Sequence, residues 1–476
     1  MKILVTGVTG YIGGKLVPLL IERGHDVRVL VRDREKLPSA EWVDRVEIAE
    51  VDLGKGEGLL EVLKGVDVAY YLVHSMGSGP DFRQRDSQMA QRFATAAYEE
   101  GIARIIYLGA LGDPGSGLTE HLKSRHETGR LLAGMGVQVI ELRAGPVVGA
   151  GSLPFEMIRY LTERVPVMIC PRWVFTLVQP IALHDVLVYL VSALQVSSEG
   201  HEVFEIGGRD VVSYGEMMTG YAKVRGLRRL MIRVPVLTPR LSSLWVRLIT
   251  PLRGSFARPI VEGLRNEVVV RDDRARKRFP EIAPSDYLAS VRVALHDLNP
   301  ASAGKERQAS SSAKLQIAKT NQSGMITERR TIRSAARPDA VFSAFSSLGG
   351  ATGWYLNWGW QIRGAIDRLV GGPGLRKGRS KLVLTIGDRI DFWRVERVEP
   401  GRLLLLRAEM KLPGDAWLQF EATPDGKGGT SLTQTSFFAP KGLAGVVYWT
   451  SLLPIHKVVF NGLARRVVSL AKAGAS

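Results

Sequence analysis

Cysteine is almost absent from this 476-residue chain, which contains only Cys170. One thiol excludes an intramolecular disulfide framework and any metal site built from several thiolates, and it fits a reducing compartment. The eight histidines show no His-Glu-x-x-His or similar spacing, so we expect no bound metal. Because Cys170 lies in an apolar stretch, we predict a buried small side chain rather than a nucleophile.

Acidic residues are too few to balance the basic ones, and the formal net charge is +17. A charge of this size favours anionic partners. Residues 220–280 hold fifteen Lys or Arg against four acidic residues, and no acidic residue follows Asp425. Within this basic stretch, apolar residues recur at helical spacing beside arginines: Leu241, Leu244, Trp245, Leu248 and Ile249, next to Arg240, Arg247 and Arg253.

A basic amphipathic helix of this kind can lie on an anionic membrane surface, so membrane contact is one prediction for this stretch. A solvated basic face is the alternative, and it stays open. Nucleic acid is not an expected partner, because no recognition motif accompanies the charge.

Long apolar runs are also missing. No run reaches the roughly 18 apolar residues of a spanning helix. The longest stretch, residues 442–455, is interrupted by Pro454 and predicts a buried or interfacial helix. Met1 and Lys2 lead directly into a strand-like run, so we expect no signal peptide. We predict a cytoplasmic protein that can contact the inner face of the membrane; the sequence does not fix an oligomeric state.

Residues 1–144 alternate short apolar runs with helical patterns. Strands are predicted at 3–5, 27–31, 46–51, 66–73, 104–108 and 137–142, and helices at 15–23, 87–100 and 122–134. This order is typical of a parallel sheet covered by helices on both faces. We therefore predict a doubly wound α/β Rossmann domain over residues 1–298, with a substrate-side subdomain from about residue 150.

A glycine-rich loop follows the first predicted strand and opens the first helix. It reads Thr6-Gly7-Val8-Thr9-Gly10-Tyr11-Ile12-Gly13. Gly7 permits a tight turn, Gly10 lets the backbone approach a pyrophosphate, and Gly13 lets the helix pack on the sheet. The helix N-terminus favours phosphate, so the loop predicts a dinucleotide site.

The residue after the second strand distinguishes the two nicotinamide cofactors. NAD-binding proteins usually place an acidic residue there, roughly 20 residues past the loop. This chain has Arg32, whose guanidinium suits a 2′-phosphate, and Asp33 follows at once. We predict NADP(H) in preference to NAD(H), without excluding NAD. Asp52, after the third strand, is placed to accept a hydrogen bond from the adenine amino group.

Residues 299–324 are rich in Ser, Ala and Gly, and we predict a linker there. Residues 325–476 then follow a different order, with a strand, two helices, a meander of strands and a long final helix. Strands are predicted at 325–333, 380–386, 390–398, 403–410, 416–423 and 430–438, and helices at 338–348, 354–370 and 442–471. This order is typical of an α+β domain with a curved antiparallel sheet around the last helix.

The first part of the chain resembles the atypical, extended branch of the short-chain dehydrogenase/reductase superfamily. The loop at 6–13, the segment Val51-Asp52-Leu53 and the segment 142–146 carry the likeness. Within that branch it resembles NmrA-like and complex-I-accessory-subunit-like proteins, which implies NAD(P) binding. The motif and the resemblance together predict these cofactor-binding residues: Gly7, Thr9, Gly10, Tyr11, Ile12, Gly13, Arg32, Asp52, Leu53, Val73, His74 and Gly109.

The second part resembles the bacterial DUF2867 domain. The segments 354–358, 391–396 and 437–440 carry this likeness. The predicted layout is similar to helix-grip (START-like) domains, which implies a cavity for apolar ligands. Three tryptophans near residue 354 have three interpretations, which are core packing, the lining of such a cavity and an anchor at a membrane interface. Trp354 and Trp358, four residues apart, are predicted to share one helix face.

The chain departs from the superfamily's catalytic set, which is a Ser after the fifth strand and a Tyr-x-x-x-Lys on the next helix. Gly109 stands at the Ser position, and His121 and Arg125 stand at the Tyr and Lys positions, although Lys123 is an alternative for the Lys. Histidine can transfer a proton near neutral pH, whereas arginine cannot. We predict His121 and Arg125 at the reacting centre.

We therefore predict an NADP(H)-dependent oxidoreductase of the atypical type that acts on a hydrophobic small molecule. Hydride transfer belongs to the cofactor and requires mainly orientation from the protein. Two alternatives stay open. One is a non-catalytic NAD(P)H-binding redox sensor or assembly factor, which the missing Ser and Tyr favour. The other is a membrane-associated lipid-binding protein.

Overall fold

Two compact units form the structure, which is a computed structural model. It describes residues 1–38, 40–75, 81–196, 199–234, 263–298, 300, 316–322, 325–350, 352–369, 371–372, 374, 378, 383–426 and 428–473. The first unit consists mainly of Met1–Thr162 and Pro166–Leu295, and the second contains the described residues from 316 onward. The predicted amphipathic helix at 240–253 lies outside the described residues.

A seven-stranded sheet organises the first unit, and all its strands are parallel. Its strands are β1 (Lys2–Thr6), β2 (Asp26–Val31), β3 (Glu47–Glu50), β4 (Val68–Tyr71), β5 (Arg104–Ala110), β6 (Gln138–Ala144) and β11 (His201–Ile206). They lie in the order β3-β2-β1-β4-β5-β6-β11. The order reverses between β1 and β4, which is the point where doubly wound sheets bind nucleotides. The predicted Rossmann fold is confirmed.

Helices and short strand pairs complete this unit. The helices are α1 (Gly13–Glu22), α2 (Leu59–Leu63), α3 (Phe82–Glu99), α4 (Glu120–Ala133), α5 (Leu153–Arg164), α6 (Leu183–Ser192), α7 (Tyr214–Arg225), α8 (Arg274–Arg278) and α9 (Tyr287–His296). The short strands are β7 (Val147–Val148), β8 (Val167–Cys170), β9 (Leu177–Val178), β10 (Ile181–Ala182), β12 (Val212–Ser213) and β13 (Leu230–Arg233). They pair as β7 with β10, β8 with β13 and β9 with β12.

Apolar residues cover both faces of the parallel sheet. Successive residues of a strand point to opposite faces, so Ile3 and Val5 join one core cluster and Leu4 joins the other. Ile3, Leu4 and Val5 are all fully buried. This explains why the strands appear in the sequence as continuous apolar runs. Cys170, on β8, is buried as predicted, and burial raises the pKa of its thiol.

The second unit is built on an antiparallel sheet. Its strands are β14 (Gln316–Gln322), β15 (Met325–Ser334), β16 (Arg389–Ile390), β17 (Trp393–Glu399), β18 (Leu403–Ala408), β19 (Gly414–Pro424) and β20 (Thr430–Pro440). They lie in the order β14-β15-β20-β19-β18-β17-β16. The helices are α10 (Pro338–Ser346), α11 (Asn357–Leu369) and α12 (Gly442–Ala473). The predicted α+β layout with a long final helix is confirmed.

The core of this unit lies between the sheet, α10 and the C-terminal half of α12. Leu463 and Val467 of α12 are fully buried, and they pack in one cluster with Phe345 of α10 and with Leu418 and Phe420 of β19. The long helix is therefore held to the sheet by its second half.

Two predicted elements differ from the structure. Residues 316–322, predicted as linker, form β14, which pairs antiparallel with β15. The serine, alanine and glycine content of residues 299–324 indicated a linker, but pairing with the neighbouring strand determines the conformation of residues 316–322. Residues 383–386, predicted as strand, have no strand structure in the part of that segment that is described.

The tryptophan-rich segment also differs from its prediction. Trp354 precedes α11 and is 3% exposed, whereas Trp358 is on the helix and is 63% exposed. The two therefore do not share a helix face. The buried indole of Trp354 donates to the carboxylate of Asp391 at 2.7 Å. Core packing is the correct interpretation for Trp354.

Helix α12 is longer than the apolar run in the sequence indicates. It continues through Pro454 for 32 residues, and by length and composition alone it could cross a membrane. Only 17% of its most apolar 18-residue window is buried. The apolar run at 442–455 is thus part of a helix that passes the length and composition test for a membrane span, a test that core helices of soluble proteins also pass.

Candidate functional site

The glycine-rich loop lies where β1 ends and α1 begins. Gly7 has φ of +68°, and a Cβ there would lie 2.5 Å from the carbonyl oxygen of Leu72. A Cβ at Gly13 would lie 2.5 Å from the carbonyl oxygen of Gly7. No real side chain tolerates either distance, so both positions require glycine. The turn is closed by a hydrogen bond of 2.9 Å from the Gly10 amide to the Gly7 carbonyl.

The N-terminus of α1 is open to an anion. No side chain caps the helix, and its first turn contains no acidic residue. Unpaired N-terminal amides and the helix dipole favour phosphate at such an end. Thr6 holds the loop in place, because its hydroxyl donates to the Tyr70 carbonyl at 3.1 Å and accepts from the Leu72 amide at 3.0 Å. The loop therefore fits a pyrophosphate, as the sequence predicts.

Tyr11, Ile12 and Thr9 extend this loop. Thr9 is exposed, and Tyr11 and Ile12 are half-buried. The Tyr11 ring lies close to Gly149, where an added Cβ would come within 2.3 Å of its hydroxyl oxygen. Gly149 therefore leaves room for Tyr11 beside the loop.

Arg32 and Asp33 at the end of β2 have different surroundings. Asp33 is engaged by its own segment, since its carboxylate pairs with Lys36 at 2.8 Å and accepts from the Glu35 amide at 3.0 Å. These hydrogen bonds hold the pKa of Asp33 below its usual range. Arg32 is exposed and has no ion pair among the described residues. The guanidinium, rather than the carboxylate, is available to a nucleotide at this strand end.

The ends of β3 and β4 supply the other predicted contacts. Asp52 accepts from the Gly54 amide at 2.8 Å, which leaves its second oxygen for a ligand, and Leu53 is buried. Val73 is half-buried and His74 is exposed, both just after β4. Since parallel strands end at one edge of the sheet, these residues share an edge with the phosphate loop.

His74, His121 and Arg125 come together near this edge. Residues 121 and 125 are one helical turn apart on α4 and share a face. Burial, and to a smaller extent the charge of Arg125, lowers the pKa of His121 to about 4. His74 remains exposed, so its desolvation is partial; this desolvation and the charges of Arg125 and His121 lower its pKa as well.

His121 is therefore a neutral imidazole near pH 7, which limits it as a proton donor. A neutral imidazole can still donate a hydrogen bond and polarise a carbonyl. Arg125 is the fixed positive charge of the group. Its guanidinium lies over the Tyr107 ring at 5.7 Å, and its Nε atom has no hydrogen-bond acceptor among the described residues.

Gly109 has too little room for the superfamily's serine. A Cβ at Gly109 would lie 3.1 Å from Glu141 Oε1 and 3.3 Å from the Tyr107 ring. A side chain there would force its neighbours to move. The site is therefore built without a hydroxyl at this position.

Glu141 is a buried carboxylate that the sequence did not reveal. It is fully buried on β6 and accepts from Arg143 at 2.7 Å and from His201 at 2.8 Å. Burial alone would raise the pKa of Glu141, but these two hydrogen bonds outweigh it and hold the pKa low. In the sequence, Glu141 looks like one charged residue within an apolar strand, and its partner His201 is 60 residues away.

Asp86 is the second polar residue that the sequence did not indicate. It is buried on α3, and its carboxylate accepts from the Ser75 amide at 2.7 Å and from the Ser124 hydroxyl at 3.1 Å. Asp86 thus fixes α4 next to the segment that carries His74. It positions the histidine pair rather than facing a ligand.

Comparison with known families decides what the two units are. Residues 7–132 match NAD(P)H-binding domains, and residues 325–463 match a protein family of unknown function, DUF2867. The chain joins an NAD(P)H-binding domain to a DUF2867 domain. Both resemblances drawn from the sequence are confirmed, the first as an NAD(P)H-binding domain that is similar to the NmrA-like, atypical dehydrogenases.

Curated relatives of the NAD(P)H-binding domain are reductases and dehydrogenases. Ceramide reductase of Caulobacter vibrioides is 26% identical over 236 residues, which are 49% of this chain and 73% of that protein. A 3-beta-hydroxysteroid dehydrogenase of Mycolicibacterium neoaurum is 28% identical over 116 residues, 22% of this chain. The chain spans only 31% of the length of that dehydrogenase.

Solved structures show the same fold for the NAD(P)H-binding domain. The triphenylmethane reductase of Citrobacter sp. superposes with a TM-score of 0.51 at 18% identity. The match covers 62% of this chain and 100% of the reductase. At this identity the likeness establishes the fold alone.

Proposed function

We propose that the NAD(P)H-binding domain is an NADP(H)-dependent reductase of a hydrophobic carbonyl or enone compound. The observation that carries this proposal is the phosphate loop, whose two constrained glycines leave the N-terminus of α1 open to a pyrophosphate. The reductases and dehydrogenases among the relatives support the reaction class.

NADP(H) is the proposed cofactor because Arg32 is available and Asp33 is engaged with Lys36. A guanidinium can bind a 2′-phosphate through two parallel hydrogen bonds. The remaining predicted contacts, at Asp52, Leu53 and Val73, would receive the adenosine and nicotinamide halves along the same sheet edge.

When bound, the nicotinamide would supply the hydride, and the protein would orient the substrate and stabilise charge. Arg125 is suited to stabilise the negative charge that develops on a carbonyl oxygen as hydride arrives. Neutral His121 is suited to donate a hydrogen bond to the same oxygen. A proton would then come from water, because a histidine with a pKa near 4 is almost entirely in its neutral form at neutral pH.

A turnover assay tests this proposal. Purified protein with NADPH would be followed at 340 nm against apolar enones, quinones, isoprenoid aldehydes, a steroid ketone and a keto-ceramide. We expect oxidation that depends on one substrate class and falls about 100-fold or more in Arg125→Leu, by analogy with removal of one oxyanion donor. Arg130→Leu, on the same helix, is the control and should retain activity.

A folded protein that binds NADPH without turnover on any class would contradict the reductase proposal. It would favour the sensor or assembly factor instead. That alternative has its own support in the structure, since Gly109 offers no hydroxyl and His121 is neutral near pH 7 and therefore a poor proton donor.

Membrane association is a second proposed property, carried by the exposed face of α12 in the DUF2867 domain. Leu443, Val447, Pro454 and Val458 recur at helical spacing, and the three aliphatic side chains are each about half exposed. The same face continues as basic residues. Arg465 and Lys472 follow Val458 at intervals of seven residues, or two helical turns, and therefore lie on the same face.

An apolar stripe followed by basic residues matches an anionic membrane surface, where apolar side chains enter the interface and cations meet the headgroups. We propose that α12 lies on such a surface, and that the protein is cytoplasmic and peripheral. We also propose that the DUF2867 domain is a helix-grip domain, because its antiparallel sheet packs on its long C-terminal helix.

Flotation with vesicles tests this second proposal. Vesicles with about 30% anionic lipid should retain the protein at low salt and release it at high salt, because screening weakens surface electrostatics. Val447→Glu with Val458→Glu should abolish binding. Val211→Glu with Val293→Glu changes equally exposed valines of the other unit and should not. Retention at high salt would contradict a peripheral protein and favour a spanning helix.

A further inference from the structure

A cavity of about 240 Å³ lies in the DUF2867 domain between the sheet, α11 and α12. Its walls are almost entirely apolar and aromatic. Four tryptophans line it: Trp360, Trp393, Trp417 and Trp449. Ile362 and Ile455 also line it while exposing more than half of their surfaces, so the cavity opens to the outside between α11 and α12.

Among the described residues, two of the four indole N–H groups have a hydrogen-bond acceptor, and two do not. Trp360 donates to the Tyr355 carbonyl at 3.1 Å, and Trp417 donates to Glu396 at 3.0 Å. By contrast, the Nε1 atoms of Trp393 and Trp449 are buried and have no acceptor among the described residues. Both side chains are at least nine-tenths buried.

Two unpaired donors beside one apolar cavity require an explanation, because a buried polar group without a partner is costly and uncommon. Phenylalanine would supply an aromatic ring for packing without that cost, although its ring is smaller. Packing alone therefore does not explain indoles at both positions. An acceptor that arrives with a ligand would satisfy them.

The remaining chemistry of the cavity narrows the class of ligand. Of the described residues that line it, none is acidic, Arg363 is the one arginine or lysine, and the other polar side chains are Ser436, Tyr448 and His456. The wall therefore offers hydrogen-bond donors and one positive charge to the polar part of a ligand. An engineered apolar cavity of about 150 Å³ holds benzene, so this volume suits an apolar group of about ten carbon atoms.

We propose that this cavity is a binding site for an apolar molecule that carries an acceptor oxygen, such as a ketone, aldehyde or ester. Trp393 and Trp449 donate to that oxygen, and the aromatic walls hold the hydrocarbon part. The site lies wholly within the DUF2867 domain. It therefore does not depend on the reductase proposal for the other unit.

Binding of a naphthyl ketone to the full chain tests this proposal. The probe is prodan, a naphthyl ketone dye whose emission shifts to the blue in an apolar site. Displacement of prodan by 2-acetylnaphthalene and by 2-ethylnaphthalene then compares a ketone with a hydrocarbon of the same shape. We expect the wild type to prefer the ketone by about fivefold to tenfold, the size of one or two net hydrogen bonds.

Substitution of the two indoles should remove that preference. In Trp393→Phe with Trp449→Phe, we expect the ketone and the hydrocarbon to displace prodan equally. Trp360→Phe is the matched control, since it removes an N–H that is already paired. It should keep the preference. A preference that survives in the double variant, or no preference in the wild type, would overturn the proposal.

Gly359 provides a test that does not threaten the fold. It lies within α11 and lines the cavity, and a Cβ added there meets no atom within 4 Å. Gly359→Leu should therefore fill the cavity while it improves the helix, so prodan binding should fall at least tenfold with no loss of thermal stability. Gly359→Ala improves the helix equally and should still bind. Unchanged binding by Gly359→Leu would place the probe elsewhere and overturn the proposal.

Discussion

His121 shows how one side chain constrains the chemistry of the candidate site. A histidine in the place of a catalytic tyrosine suggests proton transfer near neutral pH, and the sequence predicts that role. In the structure, burial and Arg125 lower its pKa to about 4. The residue is therefore better suited to hydrogen bonding than to proton donation.

The same pKa predicts a loss of stability in mild acid. Because the folded pKa lies below the usual 6.5, the unfolded chain binds more protons between about pH 6.5 and 4. The contribution of His121 is fully present above pH 6.5 and is lost as the pH falls through 4. The shift corresponds to about 3 kcal/mol, which partial exposure reduces to roughly 2 kcal/mol.

Chemical unfolding between pH 7 and 4.5 measures this effect. We expect the free energy of unfolding to fall less steeply with acidity in His121→Gln than in the wild type. His184→Gln is the comparison, because its histidine lies outside the group at 74, 121 and 125. Equal pH dependence in wild type and His121→Gln would contradict the buried, neutral state of His121.

Asp391 is the residue that organises the turn before β17. It adopts φ of 55°, and its carboxylate accepts from Trp354 Nε1 at 2.7 Å and from the amides of Gly350 and Gly378 at 3.1 Å and 3.0 Å. Asp391→Ala should cost about 3 kcal/mol, since it strands buried donors and strains a left-handed residue. Asp391→Asn tolerates that conformation and should cost less than half as much in thermal or denaturant unfolding. An equal loss of the free energy of unfolding in the two variants would contradict the role of Asp391 in this turn.

Elements differ in how far the sequence predicts them. Most strands of the parallel sheet were predictable, because β1, β2, β4, β5 and β6 are largely apolar runs that are buried on both faces. Strand β11 was not predicted, since its sequence mixes charged and apolar residues and its first half is only partly buried. The phosphate loop was predictable because the local backbone geometry of the turn requires its glycines. Strand β14 was not, since a polar edge strand is stabilised by its neighbour and carries no apolar pattern of its own.

Contacts between distant residues account for most of what the sequence missed. Glu141 meets His201 across two neighbouring strands, and Asp391 meets Trp354 from another segment. Neither pair has a signal at any fixed spacing. The backbone geometry of the glycine-rich loop was predictable, whereas the contacts of buried Glu141 and Asp86 were not.

The tight loop between β1 and α1 predicts that a side chain at Gly13 weakens cofactor binding. Gly13→Ala would place Cβ 2.5 Å from the Gly7 carbonyl, so the turn must open. We expect a lower melting temperature and at least tenfold weaker NADPH binding. Gly14→Ala is the neighbouring control, because its Cβ would lie 3.1 Å from the Val8 carbonyl and needs only a small adjustment. Fluorescence titration with NADPH measures both variants, and equal binding would contradict a tight loop.

At the scale of the whole molecule, two units with different chemistry share one chain. The NAD(P)H-binding domain presents an anion site on a doubly wound sheet, and the DUF2867 domain encloses an apolar cavity beside a long, half-exposed helix. A net charge of +17 fits both a phosphate-bearing cofactor and an anionic surface. The composition predicts anionic partners, and the fold locates the two surfaces that we propose for them.

The central claim is that the loop and Arg32 hold NADP(H), and the most direct test compares NADPH and NADH binding by wild type, Arg32→Glu and the control Arg34→Glu. The wild type should bind NADPH at least tenfold more tightly, because a charged hydrogen bond is worth about 1.5–3 kcal/mol. Arg32→Glu should lose this preference while NADH binding persists, and Arg34→Glu should keep it. If neither cofactor binds the wild type, or if the preference survives in Arg32→Glu, the account is contradicted.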